Sequence, residues 1–229
     1  MDPNRTAWNE RQKALKIGLL SKNPSGETID LFFRQHADIH ASEMAATGEF
    51  SFDEELWEDL SDEKARRITT RSEHSIVWMI WHMARCEDAT MTLLVGECPQ
   101  VLEQGGWTDR VRSTIRDTGN SLDRAGVERF SMEVDIPSLR AYRTAVGQQT
   151  RAIIAQLAAQ PGALRENLRR TVAPARIQQV IDQGVVLDDT RYLTDYWGAQ
   201  TVAGLLLMPA TRHPFVHYNE ALKVKAARQ

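Results

Sequence analysis

"SEHSIVWMIWHMARCEDATMTLLVG", residues 72–96, is apolar almost all round through its first half. A helix with that pattern has no polar face to offer solvent, so it belongs at the centre of a larger helical body. Its apolar run, "SIVWMIWHMA", falls short of the 18 or more apolar residues that a membrane span takes, and it carries a histidine. Ser72 is placed to cap its start and Gly96 to stop it.

Partners for this helix lie on both sides of it. "ETIDLFFRQHADIHASEMAA" (27–46) reads as a long helix with apolar Ile29, Leu31, Phe32, Phe33 and Ile39, ended by Gly48. "FDEELWEDLSDEKARR" (52–67) is an amphipathic connector. "DIPSLRAYRTAVGQQTRAIIAQLA" (135–158) is a third long helix, with Pro137 suited to its first turn. "DYWGAQTVAGLLLMPATRHPFVHYNEALKVKAA" (195–227) is a fourth. A shorter helix over 7–20 precedes them, and "PGALRENLRRTVAPARIQQVIDQG" (161–184) reads as a helical excursion. No alternating segment, internal repeat or low-complexity stretch interrupts this pattern. The expected fold is therefore all-α: a four-helix bundle with long crossover connections after the second and third helices. We expect one domain over 1–229, with an N-terminal extension at 1–25 and the bundle at about 27–226. The crossovers could cover one end of the bundle as a lid or a dimer surface.

Composition narrows the partners. Hydrophobic residues make up 42%, charged residues 26%, and the formal net charge is -3, which is ordinary for a globular protein. Nucleic acid is not an expected partner, because the basic residues Arg165, Arg169, Arg170 and Arg176 read as a solvated helix face rather than a binding stripe. The polar first residues lack a signal-type apolar core, so a cytoplasmic location without membrane attachment is expected. Cys86 and Cys98, twelve apart, match neither a zinc-ribbon nor a redox spacing and read as free thiols.

Chemistry concentrates in the histidines. Four of the six form two pairs at i, i+4: His36 with His40, and His213 with His217. That spacing puts both rings of a pair on one helix face. In "MPATRHPFVHYNE" (208–220) the second pair shares its stretch with Pro209 and Pro214. Val202, Leu206, Pro209, His213, Val216 or His217, and Glu220 recur at spacings of three and four, which favours one helix bent by its prolines. Alternatively, one helix ends near Met208 and another starts with Pro214 in its first turn, leaving His213 near a cap. His82 lies in the most apolar stretch, where an imidazole requires a hydrogen bond or a metal. Three neutral imidazoles from two inward-facing helices, with water completing the shell, would suit zinc, and also nickel or iron. The HxxxH lacks the glutamate of HExxH, so this is not a zinc-protease helix. No Ser/His/Asp arrangement, glycine-rich phosphate loop or dinucleotide fingerprint competes with it.

"HSIVWMIWHMARCEDATMTLLVG", followed far downstream by "TVAGLLLMPATRHPFVHYNEAL", resembles the DinB-like superfamily of bacterial four-helix-bundle proteins. The resemblance spans roughly 27–223. It implies that His82, in a "WHxxRxED"-like setting, and the His213–His217 pair ligate a divalent metal, zinc or nickel above all and iron as a further choice. It also implies a homodimer and relatives that include thiol-dependent transferases and isomerases. The expected function is a metal-dependent enzyme whose three-histidine site activates a thiol or water for S-transfer or hydrolysis of a small-molecule substrate. A low-molecular-weight thiol would be the cosubstrate. The alternative is a non-catalytic metal- or small-ligand-binding stress-response protein.

Around this triad, His40 and His36 are candidates to reach the same cavity. Cys86, one turn beyond His82, is a small core residue or a fourth ligand. Glu220, one turn past His217, is placed to orient its ring. His74 reads as a surface or cap-region residue, and Arg85, Glu87 and Asp88 as structural ion pairs between helices. Trp78, Trp81, Tyr196 and Trp197 read as core or pocket wall.

Overall fold

The computed structural model describes residues 2–46, 50–70, 72–160 and 162–227. Among the described residues the secondary structure is helical, apart from one isolated antiparallel bridge between Thr171 and Thr201. The all-α fold class read from the sequence is the one observed. Among the described residues no helix is long and apolar enough to cross a membrane.

The helix over Ile76–Ala89 lies at the centre, every one of its residues buried, and it runs on as a π-helical turn over Thr90–Gly96. Its cap is Ser75, not Ser72: the Ser75 hydroxyl accepts the Trp78 N–H at 2.9 Å. Ser72 instead accepts the His74 N–H one turn earlier. Because residue 75 is also fully buried, the chain turns inward before the helix begins, which placed the sequence-based start three residues early. Glu97 follows in a left-handed conformation (φ 52°), so Gly96 is the last helical residue.

Two long helices pack directly on this central one, beside the short helices Asp62–Arg66 and Arg124–Glu133. One is Ile136–Ala158, capped by Asp135 with Pro137 in its first turn, as expected. The other is the C-terminal helix, His213–Ala226. The helix Gly26–Ala37 packs on Ile136–Ala158 and on the N-terminal helix, and its His36 reaches the central helix at Glu87. It ends nine residues short of residue 46, which the expected long helix would reach. His40 therefore lies in a turn, and Met44 in the short helix Ser42–Ala45. The expected stop at Gly48 lies outside the described residues. Ala46 carries φ 52°, a left-handed conformation that already ends the helical run.

The N-terminal helix spans Pro3–Leu19, four residues longer at its start than expected, because the Asp2 carboxylate accepts the Arg5 N–H and Pro3 fits the first turn. It is no loose extension. Trp8 is fully buried and stacks on Phe215 of the C-terminal helix, ring centroids 3.8 Å apart and 3° from parallel. Leu15 and Leu19 are buried with Phe32 and Leu206.

Both crossovers carry short helices. The first holds Trp107–Val111 and Arg124–Glu133; the second holds Leu164–Arg169, Pro174–Asp182 and Tyr192–Gly198. The expected fourth helix over 195–227 is thus two elements, separated at Gln200 and Thr201. Its second part is continuous through both prolines. Leu56 is fully buried inside the chain, and Trp107 is buried beneath the Arg110 guanidinium, 3.8 Å from the ring centroid.

Candidate functional site

The C-terminal element runs Val202–Leu207, then a π-helical turn Met208–Arg212, then His213–Ala226. Of the two readings left open, the bent single helix is the one observed. A π-turn shifts hydrogen bonding from i−4 to i−5, and the His213 N–H donates to the Met208 carbonyl. The wider turn takes in Pro209, and Pro214 falls into the first turn of the following helix, where its missing N–H is tolerated. Carbonyls loosened by the bend find other donors. The Thr211 hydroxyl lies 2.9 Å from the Leu206 oxygen and 3.0 Å from that of Leu207. Gln12 of the N-terminal helix donates to the Leu207 oxygen at 3.1 Å and to the Thr211 hydroxyl at 2.9 Å.

The bend aims His213 and His217 at His82. The Nε2 atoms of His82 and His213 lie 3.0 Å apart, and those of His213 and His217 lie 3.1 Å apart. The three rings cross at 69° to 85°, edge to face. On the helical stripe it is His217 rather than Val216 that turns inward, since Val216 is 44% exposed. The His82 Nδ1 donates to the Thr118 carbonyl at 2.9 Å, which assigns its proton to Nδ1 and leaves Nε2 with a lone pair. Glu220 Oε2 lies 3.3 Å from His217 Nδ1, as expected of a carboxylate that orients the ring. Among the described residues the buried Nδ1 atoms of His213 and His217 both lack a hydrogen-bond partner, so Glu220 stands to His217 as a charge contact. Burial pushes His82 down to about 3, with the nearby His217 adding to it. Burial also holds His213 well below the usual imidazole range, with His82 adding to it.

His36 and His40 do not join this group. They converge on Glu87, one on each carboxylate oxygen, at 2.7 and 3.1 Å. The Thr150 hydroxyl and the Arg143 guanidinium complete that carboxylate at 2.9 and 3.3 Å. Arg143 also donates to the Ile39 carbonyl, and its Nε lies 3.3 Å from the Tyr218 hydroxyl, which in turn donates to Asp53. Burial alone would raise Glu87; the imidazoles of His40 and His36 override it and hold the carboxyl well below its ordinary range. Burial, aided by the Arg143 cation, pushes His40 down to about 3. The sequence placed Glu87 in an ion pair between helices, which Arg143 supplies, but the convergence of His36 and His40 on it needed the turn at His40 to be seen. Asp88 differs from that expectation. It pairs with Arg85 within the same helix, accepts the Tyr142 hydroxyl, and takes the N–H groups of Val101 and Leu102.

Gly147 makes room for His40. A Cβ there would lie 2.7 Å from His40 Nδ1 and 2.9 Å from Met44 Cγ. Alanine should add about 1 kcal/mol of helix propensity and cost about 1–3 kcal/mol through overpacking. The His40 ring is held by Glu87 and cannot yield, so the second effect should win. Urea denaturation of Gly147→Ala should show a lower midpoint; a raised one would contradict the close packing.

Cys86 lies beside the triad, with Sγ 3.8 Å from His82 Nε2. Burial pushes its thiol up to about 12 in the metal-free chain, and the ligand atoms close enough together to share one ion are those of His82, His213 and His217. His74 lies in the cap region, directly before the Ser75 cap, as one of its two readings had it. It is half-buried and stacks on Trp78 at 3.7 Å, and Trp78 stacks on His82 at 4.8 Å, so three rings lie in one pile. Trp78, Trp81 and Trp197 are buried as expected, whereas Tyr196 is 42% exposed.

The DinB superfamily profile matches residues 54–221. The chain belongs to the DinB superfamily. That span contains the central helix and the whole His213–His217 bend of this DinB protein, and stops short of the N-terminal helix that packs against the bend. Compared with curated proteins, the chain matches none. Membership agrees with the resemblance read from "WHMARCED" and "HPFVHYNE", and with two groups of side chains able to hold a metal ion: His82, His213 and His217, and His36, His40 and Glu87.

Acid should destabilise the metal-free DinB fold. His40 and His82 are neutral in the folded chain down to about 3, whereas in the unfolded chain each takes a proton below the ordinary imidazole value of 6.5. Between those values the unfolded state binds more protons, so stability falls as pH falls. The slope is up to about 1.4 kcal/mol per pH unit for each histidine. Chelator-treated protein unfolded in urea at neutral and mildly acidic pH should show this loss; a flat profile would mean that the rings are not buried neutral.

Proposed function

We propose that His82, His213 and His217 bind one divalent metal ion and that the protein is a metal-dependent enzyme acting on a small molecule. The observation that carries this reading is the arrangement of the three Nε2 atoms. His82 has its proton on Nδ1, at Thr118, and the Glu220 carboxylate favours the same for His217. Their Nε2 lone pairs both face His213 Nε2, which has at most one proton to share between them. A cation among the three nitrogens satisfies all of them. It would also let His213 carry its proton on Nδ1, as the other two do.

The second group fits an ion poorly. Both oxygens of Glu87 already take two donors each, and Arg143 already neutralises its charge. A dication there would meet the guanidinium without water to screen it.

A divalent ion held by three imidazoles, zinc or nickel first and iron next, lowers the pKa of a water or thiol in its open position and so supplies a nucleophile near neutral pH. The chain's own groups set the surroundings. The Thr118 carbonyl and Glu220 hold two of the rings. Trp78 closes one side of His82 against water, and His74 is stacked beyond it. Cys86 lies outside the three-histidine group, so a further position on the ion would be open to an outside ligand. S-transfer with a low-molecular-weight thiol and hydrolysis are both compatible with this set. The homodimer and the cytoplasmic location rest on the resemblance and the polar N-terminus, and belong to the proposal.

The rival reading is a non-catalytic metal- or ligand-binding stress-response protein. Cobalt(II) titration separates the two. We expect one equivalent to bind with a visible absorption band that shifts when a small thiol is added. A band indifferent to thiol would indicate a closed shell and favour the binder.

A further inference from the structure

Four side chains on one face of the central helix, Trp78, Trp81, His82 and Arg85, reach out to four consecutive backbone carbonyls of the first crossover. Arg85 Nε donates to the Arg116 oxygen at 2.8 Å, and Trp81 Nε1 to that of Asp117 at 3.0 Å. His82 Nδ1 donates to the Thr118 oxygen at 2.9 Å, and Trp78 Nε1 to that of Gly119 at 3.1 Å. The donors follow the i, i+3, i+4, i+7 pattern of one helical face. The segment 116–119 therefore lies along the helix as a strap, running opposite to it, with its carbonyls turned inward. Two further contacts hold it in that posture. The Thr118 N–H donates to the Val185 carbonyl of the second crossover at 3.1 Å, and the Gly119 N–H donates to Asp117 Oδ1 at 2.6 Å.

Gly119 is the residue on which the strap depends. Its φ is +81°, a left-handed conformation that side chains rarely adopt, and a Cβ there would lie 2.8 Å from Trp78 Nε1. Any side chain at 119 must push the strap away from the helix, and the Thr118 carbonyl is the adjacent peptide group.

We propose that this strap is the element that sets His82 for its partners, with Gly119 and Trp78 as positioning residues: it keeps the His82 proton on Nδ1 and so leaves Nε2 as the nitrogen turned toward His213 and His217. Outer partners of metal-binding histidines fix ring and tautomer, and their loss commonly weakens metal affinity about 10–100-fold. In this chain the partner is a backbone carbonyl, which no substitution at residue 118 removes. The control lies one residue away, in the glycine, and one helical turn back, in the indole N–H. The outer edge of the strap is tied to the second crossover at Val185, so both long connections bear on one ring of the triad.

The proposal rests on the triad reading for its metal arm and stands without it for the other. The test compares wild type, Gly119→Ala, Trp78→Phe and Gly147→Ala. Trp78→Phe removes the indole N–H while keeping a smaller aromatic ring between His74 and His82. Gly147→Ala loads strain onto the His36–His40–Glu87 cluster and serves as the comparison for lost stability alone. Two quantities are read: zinc affinity by chelator competition, and the ring tautomer of His82 by nitrogen-15 NMR of metal-free protein. We expect His82 to be protonated on Nδ1 in wild type and Gly147→Ala, and to become mixed in Gly119→Ala. Zinc affinity should fall about 10–100-fold in Gly119→Ala and less in Trp78→Phe, and stay within about threefold of wild type in Gly147→Ala. An unchanged His82 tautomer in both strap variants would overturn the proposal. So would a loss of zinc affinity no greater in Gly119→Ala than in Gly147→Ala. If wild type bound no zinc, the triad reading would fall, and the tautomer alone would decide the strap.

Discussion

Replacing Arg143 with methionine should lower the unfolding free energy by about 3–5 kcal/mol, the usual cost of leaving a buried charge without its partner. Arg143 is the sole cation on Glu87 among the described residues, and both side chains are almost wholly buried. Without it, Glu87 keeps the His36, His40 and Thr150 donors but loses the guanidinium, the Ile39 carbonyl loses a donor, and the Tyr218 hydroxyl loses a neighbour. For a chain of 229 residues the fall in Tm should be on the order of 10 °C. The double variant Arg143→Met with Glu87→Gln should recover part of that loss, because it removes both charges at once. A single variant within about 1 kcal/mol of wild type would show that Glu87 is not held as a charge, and the cluster would have to be read again.

The second large effect concerns His82. In His82→Ala, two ligands remain and the third corner of the site becomes a void beside Trp78. Metal affinity should drop by at least about 100-fold, beyond the range seen when only an outer partner is lost. The metal-free variant should keep its helix content by circular dichroism, since the ring is one buried group among many. Its stability should fall by about 1–3 kcal/mol, because the buried Thr118 carbonyl loses its donor. Full metal occupancy in this variant would shift attention to His36, His40 and Glu87.

The central helix was legible because fourteen successive residues, Ile76–Ala89, are all buried, and a segment without a polar face has only one place in a helical protein. The triad was legible for two reasons: i, i+4 spacing survives a bend, and an isolated imidazole among apolar residues must be partnered. The bend itself could be left only as an alternative, because Pro209 and Pro214 permit either a break or a widened turn. The deciding groups, Thr211 and Gln12, include one far away in sequence. The early end of the helix at Ala37 was not legible. "FFRQHADIHASEMAA" has helical periodicity throughout, and what overrides it is tertiary: the carbonyl of Asp38 takes the Phe52 N–H, and that of His40 takes the Ser51 hydroxyl. For the same reason the His40–Glu87 pairing was missed; the one local sign was Gly147, a glycine inside a long helix. The strap on the central helix left no trace in local pattern, because backbone carbonyls have no sequence signature. Only Gly119 marks it.

Elemental analysis of protein purified without chelators tests the three-histidine metal site most directly. The account predicts one divalent metal ion per chain in wild type, and none in a variant with both His213 and His217 replaced by alanine and its fold confirmed by circular dichroism. Wild-type protein without metal after exposure to zinc, nickel and iron in turn would contradict it, and so would equal metal in the two proteins.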